Sequence, residues 1–302
     1  MGKIAFVFSG QGDQYPGMGR ELAEKSPAAR KVFRMCDLLR PGTSHQCFFG
    51  SAEDLQSTVN TQPCLFAMEL ALAQALRESR LEPDAVAGFS LGEVTACTFA
   101  GAFDYETGFS LVMQRGRLMH EASFGRDLEM HAVLKLPSET VEERCRSYEA
   151  VYPVNYNGPG QVVIAGKADA LEEAAKAVKA AGGRTMKLPV SGGFHTPYMQ
   201  AASEEFQKLL EHATIKKLKI PVYSNVTAKP YPEDFGPLLA KQIQKPVQWE
   251  ALIREMAASG VTVFIEIGPG RTLTNLIKRI IPGAYTYAGT DLDLIRNEVI
   301  KC

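Results

Sequence analysis

The sequence predicts an α/β fold: a large domain built on a mostly parallel sheet, interrupted by a small inserted domain. Three observations predict it. Short apolar runs alternate with longer segments of helical period along most of the chain, the pattern of a parallel sheet covered by helices on both faces. Between residues 128 and 190 the order changes to strand, helix, strand, strand, helix, strand, which is a ferredoxin-like unit. One strand-to-helix junction, Gly88-Phe89-Ser90-Leu91-Gly92, carries the spacing Gly-x-Ser-x-Gly.

The elements follow in order. Lys3 to Phe8 reads as a buried strand, stopped by Ser9-Gly10-Gln11-Gly12 and a polar, Gly-rich loop through Gly19. Gln62 to Glu78 is helical: Leu65, Met68, Leu72 and Leu76 recur at helical spacing, and Pro63 suits a first turn because its missing N–H costs nothing there. Ala85-Val86-Ala87 is a short strand, and the segment after Gly92 is a helix. Tyr105 to Ala122 is a helix carrying Arg115 and Arg117. In the inserted unit, strands are expected at 131–136, 151–156, 161–165 and 184–188, with helices at 138–148 and 168–181. Gly182-Gly183 ends the second helix. Beyond it lie a helix at 197–213, a strand at 221–224, a helix at 251–259 and a strand at 261–267 running into Gly268-Pro269-Gly270. The expected division is therefore residues 1–127 plus 191–302 for the large domain and 128–190 for the small one.

Composition narrows the class. The chain has 302 residues, 45% hydrophobic and 22% charged, enough to bury a large core. A net charge of −1 gives no bulk attraction to nucleic acid or to an anionic membrane. No apolar stretch approaches the length of a bilayer span, and the apolar run near the N-terminus is too short for a signal peptide. Six cysteines, at 36, 47, 64, 97, 145 and 302, include no C-x-x-C pair, which argues against a zinc or redox motif. Cys64 and Cys97 fall in apolar helical patterns and are expected to be buried thiols in a reducing, cytoplasmic setting.

The Gly88–Gly92 junction carries the chemistry. Between a strand and a helix, Gly-x-Ser-x-Gly is a nucleophile elbow, and the large domain is accordingly read as α/β-hydrolase-like. The flanking glycines would let the chain pass a strained bend. The serine hydroxyl would then stand at a helix N-terminus, where unpaired N–H groups face a developing oxyanion. A plainer reading also fits: a turn entering a helix, with Ser90 as N-cap.

A serine needs a base to act near neutral pH, and histidine is the usual one. Of His45, His120, His131, His195 and His212, His195 stands out. It lies in Ser191-Gly192-Gly193-Phe194-His195-Thr196-Pro197, where the chain leaves the small domain. Gly-Gly permits an unusual backbone path, and Pro197 restrains the residue before it. A hydrogen-bonded structural histidine is the alternative. No acidic residue stands in an obvious constellation with His195; a backbone carbonyl could orient the ring instead.

Taken together, the segments resemble the malonyl-CoA:acyl carrier protein transacylases, the acyltransferases of fatty acid and polyketide synthesis. The matching pieces run in order over nearly the whole chain. They are Phe8-Ser9-Gly10-Gln11-Gly12, Gln62-Pro63, Gly88-Phe89-Ser90-Leu91-Gly92-Glu93 and Gln114-Arg115-Gly116-Arg117, then Asn157-Gly158-Pro159-Gly160-Gln161, Gly193-Phe194-His195, Pro246-Val247-Gln248-Trp249 and Glu266-Ile267-Gly268-Pro269-Gly270. The resemblance implies that Ser90 takes the acyl group and His195 is its base. It implies that the backbone carbonyl of Gln248 receives the other imidazole N–H. The backbone N–H groups of Gln11 and Leu91 would form the oxyanion hole, so that Gln11 also touches substrate. Arg115 would grip the malonyl carboxylate, a task suited to a planar guanidinium; without the resemblance it reads as a surface helix arginine. Phe194 would crowd an α-methyl branch. The sequence departs from many members in carrying Phe89, where they have histidine before the nucleophile.

The implied substrates are malonyl-CoA and an acyl carrier protein, with no cofactor or metal, and a monomer is expected. Acyl carrier proteins are acidic, so a basic rim is expected from Arg184 and Lys187 or from Lys216-Lys217-Lys219; a solvated charge run is the simpler account. Two other functions use the same features. A serine hydrolase, thioesterase-like or patatin-like, shares the elbow but has no use for a buried cation. A non-catalytic carrier-protein docking module would need neither Ser90 nor His195.

Overall fold

The computed structural model describes residues 2–190 and 192–300; Met1, Lys301 and Cys302 lie outside the described residues, as does Ser191 at the expected domain boundary. The strands, in chain order, are β1 (Lys3–Phe8), β2 (Ala85–Gly88), β3 (Leu128–Leu134), β4 (Val151–Gly158), β5 (Gln161–Lys167), β6 (Arg184–Lys187), β7 (Val222–Tyr223), β8 (Val261–Ile267) and β9 (Tyr285–Ala288). The helices are α1 (Arg20–Lys25), α2 (Pro27–Leu39), α3 (Thr43–Phe49), α4 (Ala52–Gln56), α5 (Thr58–Glu78), α6 (Leu91–Phe99), α7 (Tyr105–Ser123), α8 (Ser138–Arg146), α9 (Ala168–Ala180), α10 (Gln200–His212), α11 (Gly236–Lys241), α12 (Trp249–Ala258), α13 (Thr272–Ile280) and α14 (Leu292–Ile295). Among the described residues no helix is long and apolar enough to cross a membrane.

The first sheet has five strands in the order β7-β2-β1-β8-β9, and every pairing in it is parallel. Its inner strands are buried on both faces, which is why β1, β2 and β8 read as continuous apolar runs rather than as alternations. The edge strand β9 escapes sequence reading because its Tyr-Thr-Tyr-Ala is partly exposed and carries a weak signal.

The second sheet is antiparallel, in the order β4-β5-β3-β6. This is the ferredoxin-like arrangement, and its four strands span Leu128 to Lys187. Both of its faces are covered. Val133, Val162 and Ile164 face α8 and α9, with Val141, Leu171 and Ala174, in a small core of their own. Met130, Ala132, Val163 and Ala165 face the other way, into the main core. Alternate residues of one strand thus serve two cores, as the period of a strand requires. The backbone ties the two parts further: Val247 N–H donates to the Val154 carbonyl at 2.8 Å, and Tyr156 N–H to the Val247 carbonyl at 2.9 Å.

Two differences from the sequence reading have physical causes. Helix α5 begins at Thr58, so Pro63 sits inside it rather than in its first turn. The sequence cue failed because a burial-driven helix tolerates the one hydrogen bond a proline removes. The segment before it, to which the sequence reading assigns no element, holds four helices, α1 to α4. α1, α3 and α4 are too short to show a period, whereas α2 carries one, with Ala29, Val32, Phe33 and Cys36 on its buried face. Local caps start two of the four: Ser26 caps α2 and Ser51 forms a capping box with Asp54 on α4.

Several sequence motifs turn out to be scaffolding. Glu266, fully buried, accepts the N–H groups of Leu273 (3.0 Å) and Thr274 (2.7 Å) and so anchors the start of α13. A side chain on Gly268 would meet Ser9 Oγ at 2.0 Å, and one on Gly270 would meet the Asp13 carboxylate at 2.7 Å. The loop after β8 therefore lies directly against the loop after β1.

Candidate active site

The loop between β2 and α6 carries Ser90 in a strained conformation, φ 53° and ψ −101°. A non-glycine residue there costs about 1–3 kcal/mol and persists only where its surroundings enforce it. Glycine does not supply the bend; it supplies room. A Cβ on Gly88 would lie 1.9 Å from the Gly92 carbonyl carbon, and one on Gly92 would lie 2.4 Å from the carbonyl oxygens of Phe8 and Ser9. The two glycines thus let α6 press against β2 and against the end of β1, and the strain falls on the serine between them.

His195 reaches the same point from the far side of the small domain. Its Nε2 is 2.8 Å from Ser90 Oγ. His195 also has a left-handed backbone, φ 63°, and its N–H donates to the Ile243 carbonyl at 3.2 Å. Gly193 has no positive φ. Gly192 is needed for space, since a Cβ would meet Ser123 Oγ at 2.6 Å and the Phe194 ring at 2.7 Å. Phe194 itself packs into the main core. The other histidines lie elsewhere: His131 contacts Glu129 on β3 at 2.9 Å, His212 bonds the Lys208 carbonyl, and His45 and His120 contact Phe49 and Phe124.

The orienting acceptor is a backbone carbonyl, but not that of Gln248. His195 Nδ1 lies 2.8 Å from the Gln242 carbonyl and 3.1 Å from that of Lys245. Gln248 instead precedes α12, where its carbonyl accepts the Leu252 N–H. The two glutamines are close in the chain. Gln242 and Gln248 sit in one short stretch, Gln242-Ile243-Gln244-Lys245-Pro246-Val247-Gln248, and a carbonyl acceptor has no side-chain signature. With Nδ1 donating to carbonyls, Nε2 is left as the acceptor for the serine hydroxyl. Burial first, then the Arg115 charge, holds the His195 pKa down to about 4. The ring is therefore a neutral base throughout the physiological range.

Arg115, on α7, is 1% exposed and is no surface residue. Its Nη2 donates to Ser90 Oγ at 3.0 Å and to Gln242 Oε1 at 2.8 Å, and its Nη1 donates to Gln62 Oε1 at 2.9 Å. Arg117, two residues on, pairs with Glu121 at the surface. Gly116 explains how the arginine reaches inward: a Cβ there would lie 3.1 Å from the Thr58 carbonyl oxygen, so glycine lets α7 approach α5. Burial lowers the Arg115 pKa to about 10, opposed by the nearby Glu93; the guanidinium stays charged at neutral pH. Its Nε–H has no partner among the described residues.

The sequence-expected oxyanion donors sit at the same place. Leu91 is the first residue of α6 and is buried. Gln11 follows Gly10, whose Cβ position is 2.9 Å from the Phe89 carbonyl oxygen, so the β1 loop lies against the elbow. Among the described residues neither backbone N–H bonds to a loop, turn or side chain. The Gln11 side chain donates to Thr58 Oγ1 at 3.3 Å. Phe89 packs against Trp249 with ring centroids 5.3 Å apart and the planes tilted by 60°, so it contributes an apolar wall.

Sequence reading missed a buried polar ring around the elbow. Gln242 Nε2 donates to the Ser90 carbonyl at 2.5 Å. Asn225, in the loop after β7, accepts the Ser90 N–H at 2.8 Å and donates to the Gly88 carbonyl at 2.6 Å. Glu93 accepts the Asn225 N–H at 2.9 Å and the Tyr231 hydroxyl at 2.5 Å. Burial raises the Glu93 pKa to about 7, opposed by the Tyr231 and Asn225 hydrogen bonds. Glu93 carried the one available signal, a carboxylate in an otherwise apolar helix start.

A strained serine at a strand-to-helix turn, a neutral histidine on its hydroxyl, and two free N–H groups, one at a helix start and one on the loop after β1, are the parts an acyl-transfer site requires. The comparisons with known proteins agree. Residues 5–286 match the acyl transferase domain, and the chain belongs to that family. It is 39% identical, over 98% of its length and 96% of the relative, to the malonyl CoA-acyl carrier protein transacylase of Bacillus subtilis. It is 40% identical to a polyketide-biosynthesis malonyl CoA-acyl carrier protein transacylase of the same species, over 92% of this chain and 96% of that one. The crystal structure of the Clostridium perfringens malonyl CoA-acyl carrier protein transacylase superposes with a TM-score of 0.94 at 35% identity, covering 99% of this chain and 98% of that chain.

Proposed function

We propose that this protein transfers a malonyl group from malonyl-CoA to the phosphopantetheine thiol of an acyl carrier protein, through a malonyl ester on Ser90. The observation that carries the reading is the single hydroxyl shared by a base and a buried cation: Ser90 Oγ lies 2.8 Å from His195 Nε2 and 3.0 Å from Arg115 Nη2. His195 withdraws the hydroxyl proton as Oγ attacks the thioester carbonyl. The oxyanion of the tetrahedral intermediate is received by the N–H groups of Gln11 and Leu91, donors that contribute about 10²–10³-fold each. The C–S bond then breaks, and the imidazolium returns its proton to the departing thiolate of coenzyme A. The carrier thiol reverses the sequence: it loses a proton to His195, attacks the ester and regenerates the Ser90 hydroxyl.

Arg115 selects the acyl group. A buried guanidinium with an unpartnered Nε–H suits a carboxylate and penalises an uncharged acyl chain, which would leave it unpaired. This favours malonyl transfer over a hydrolase acting on neutral acyl chains. A bulky ring at position 194, next in sequence to His195 though packed into the main core, would crowd an α-methyl branch, a discrimination of about 1–3 kcal/mol. Of the basic residues expected at the carrier-docking rim, Lys187 pairs with Glu129 and Lys217 lies 3.8 Å from Glu233. Both lysines are exposed, so these pairs are weak and an acidic partner can compete for them.

Intact-mass measurement after mixing with malonyl-CoA tests the covalent step. One malonyl mass should map to Ser90 and disappear when the carrier protein is added. Active transfer with no adduct would overturn the mechanism, and free malonate released faster than transfer would favour a hydrolase.

A further inference from the structure

The left-handed backbone of Ser90 is unfavourable for a residue with a Cβ, so something outside the turn must hold it. Two buried carboxamides grip it from opposite ends. Gln242 takes the Ser90 carbonyl. Asn225 takes the Ser90 N–H and, with the other end of the same amide, the Gly88 carbonyl. The Asn225 side chain therefore spans the bend, bridging the residues on either side of Phe89. It is itself fixed at both ends of its main chain. Its N–H donates to Glu93 Oε1, and its carbonyl accepts the Gln248 N–H at 2.8 Å. Asn225, Glu93 and Gln242 are all fully buried.

We infer that Asn225 is a positioning residue for the nucleophile: its carboxamide holds the Ser90 elbow in the strained conformation that aims Oγ at His195. Only a group that accepts and donates at once can make both bonds, which a carboxamide does and an ionised carboxylate does not. Gln248 thus serves the site through Asn225 rather than through the imidazole. The inference rests on Ser90 being the nucleophile, but not on which acyl group it carries.

The test measures the rate at which a fluorophosphonate probe labels Ser90, alongside kcat and KM for malonyl transfer and the melting temperature. In Asn225→Ala, labelling and kcat should both fall about 100-fold, the scale of a roughly 1 Å misplacement of a reacting group. KM for malonyl-CoA should hold, because Arg115 bonds Gln62, Gln242 and Ser90 but not Asn225. Asn225→Asp adds a second reading. Its ionised carboxyl accepts from Ser90 but cannot donate to Gly88, whereas the protonated form does both. Burial beside Glu93 raises the pKa of the introduced carboxyl. The variant-to-wild-type labelling ratio should therefore climb as pH falls. Glu93, Tyr231, His195 and Arg115 titrate or bear charge nearby in both proteins, and the ratio removes their shared contribution.

A folded Asn225→Ala protein that labels at the wild-type rate, with only its melting temperature lowered, overturns the inference. So does a ratio for Asn225→Asp that is flat with pH, which decides the matter if the alanine variant does not fold. Wild-type protein that resists the probe would sink the Ser90 reading itself. Labelled wild-type protein that transfers no malonyl group would sink only the substrate assignment.

Discussion

Arg115→Ala separates binding of the acyl carboxylate from everything else the guanidinium does. Removing it deletes two kinds of interaction. The carboxylate loses two charge-assisted hydrogen bonds, each worth about 1.5–3 kcal/mol, or roughly 3–6 kcal/mol together. At about 1.36 kcal/mol per tenfold, malonyl transfer should fall by about 10²–10⁴-fold from this cause alone. Gln62 Oε1 and Gln242 Oε1 also lose their donor, and Ser90 Oγ loses a nearby positive charge; these losses strike every acyl group alike. Acetyl transfer therefore serves as the internal control, and the malonyl-to-acetyl ratio of kcat/KM should collapse by about 10²-fold or more. The same variant shifts a pH profile. His195 acts in its neutral form, so activity is present above its pKa and is lost as pH falls through it. Burial and then Arg115 hold that pKa down to about 4. Without the arginine the second cause vanishes, the pKa rises, and the acid limb of kcat/KM for acetyl-CoA should move to higher pH. Acetyl-CoA is the right substrate here because it brings no carboxyl of its own to titrate. Equal losses on both acyl groups, or an acid limb that stays or moves lower, would refute the reasoning.

Two further outcomes follow from the same geometry. His195→Ala removes the only base on Ser90 Oγ among the described residues and should slow single-turnover acylation by about 10³-fold or more; a loss under tenfold would mean another base. Gly92→Ala puts a methyl group 2.4 Å from the carbonyl oxygens of Phe8 and Ser9 at the end of β1, so it should cost more than about 2 kcal/mol in a urea titration. A stability within about 0.5 kcal/mol of wild type would show that α6 can move away from β1.

What the sequence by itself determined is local. Short apolar runs placed four of the five parallel strands, β9 being the exception, and the order of elements from residue 128 to 190 set out the antiparallel sheet before any pairing was known. Gly-x-Ser-x-Gly marked Ser90, and the Gly-Gly-Phe-His exit from the small domain marked His195. These signals survive because strand period and turn chemistry are written in neighbouring residues. The resemblance to a family supplied Arg115, which periodicity alone would have left on a surface helix.

Only the tertiary structure decided the remainder, because those facts depend on groups brought together from far along the chain. The imidazole is oriented by the carbonyls of Gln242 and Lys245, and every residue owns a carbonyl, so nothing in the sequence distinguishes these two from that of Gln248. Gln62, Asn225 and Gln242 are ordinary polar residues until α5, the loop after β7 and the turn after α11 close around one serine. The strain at Ser90 is likewise a tertiary property: the glycines beside it make space for α6 against β1, and packing from three directions leaves the serine to take the bend.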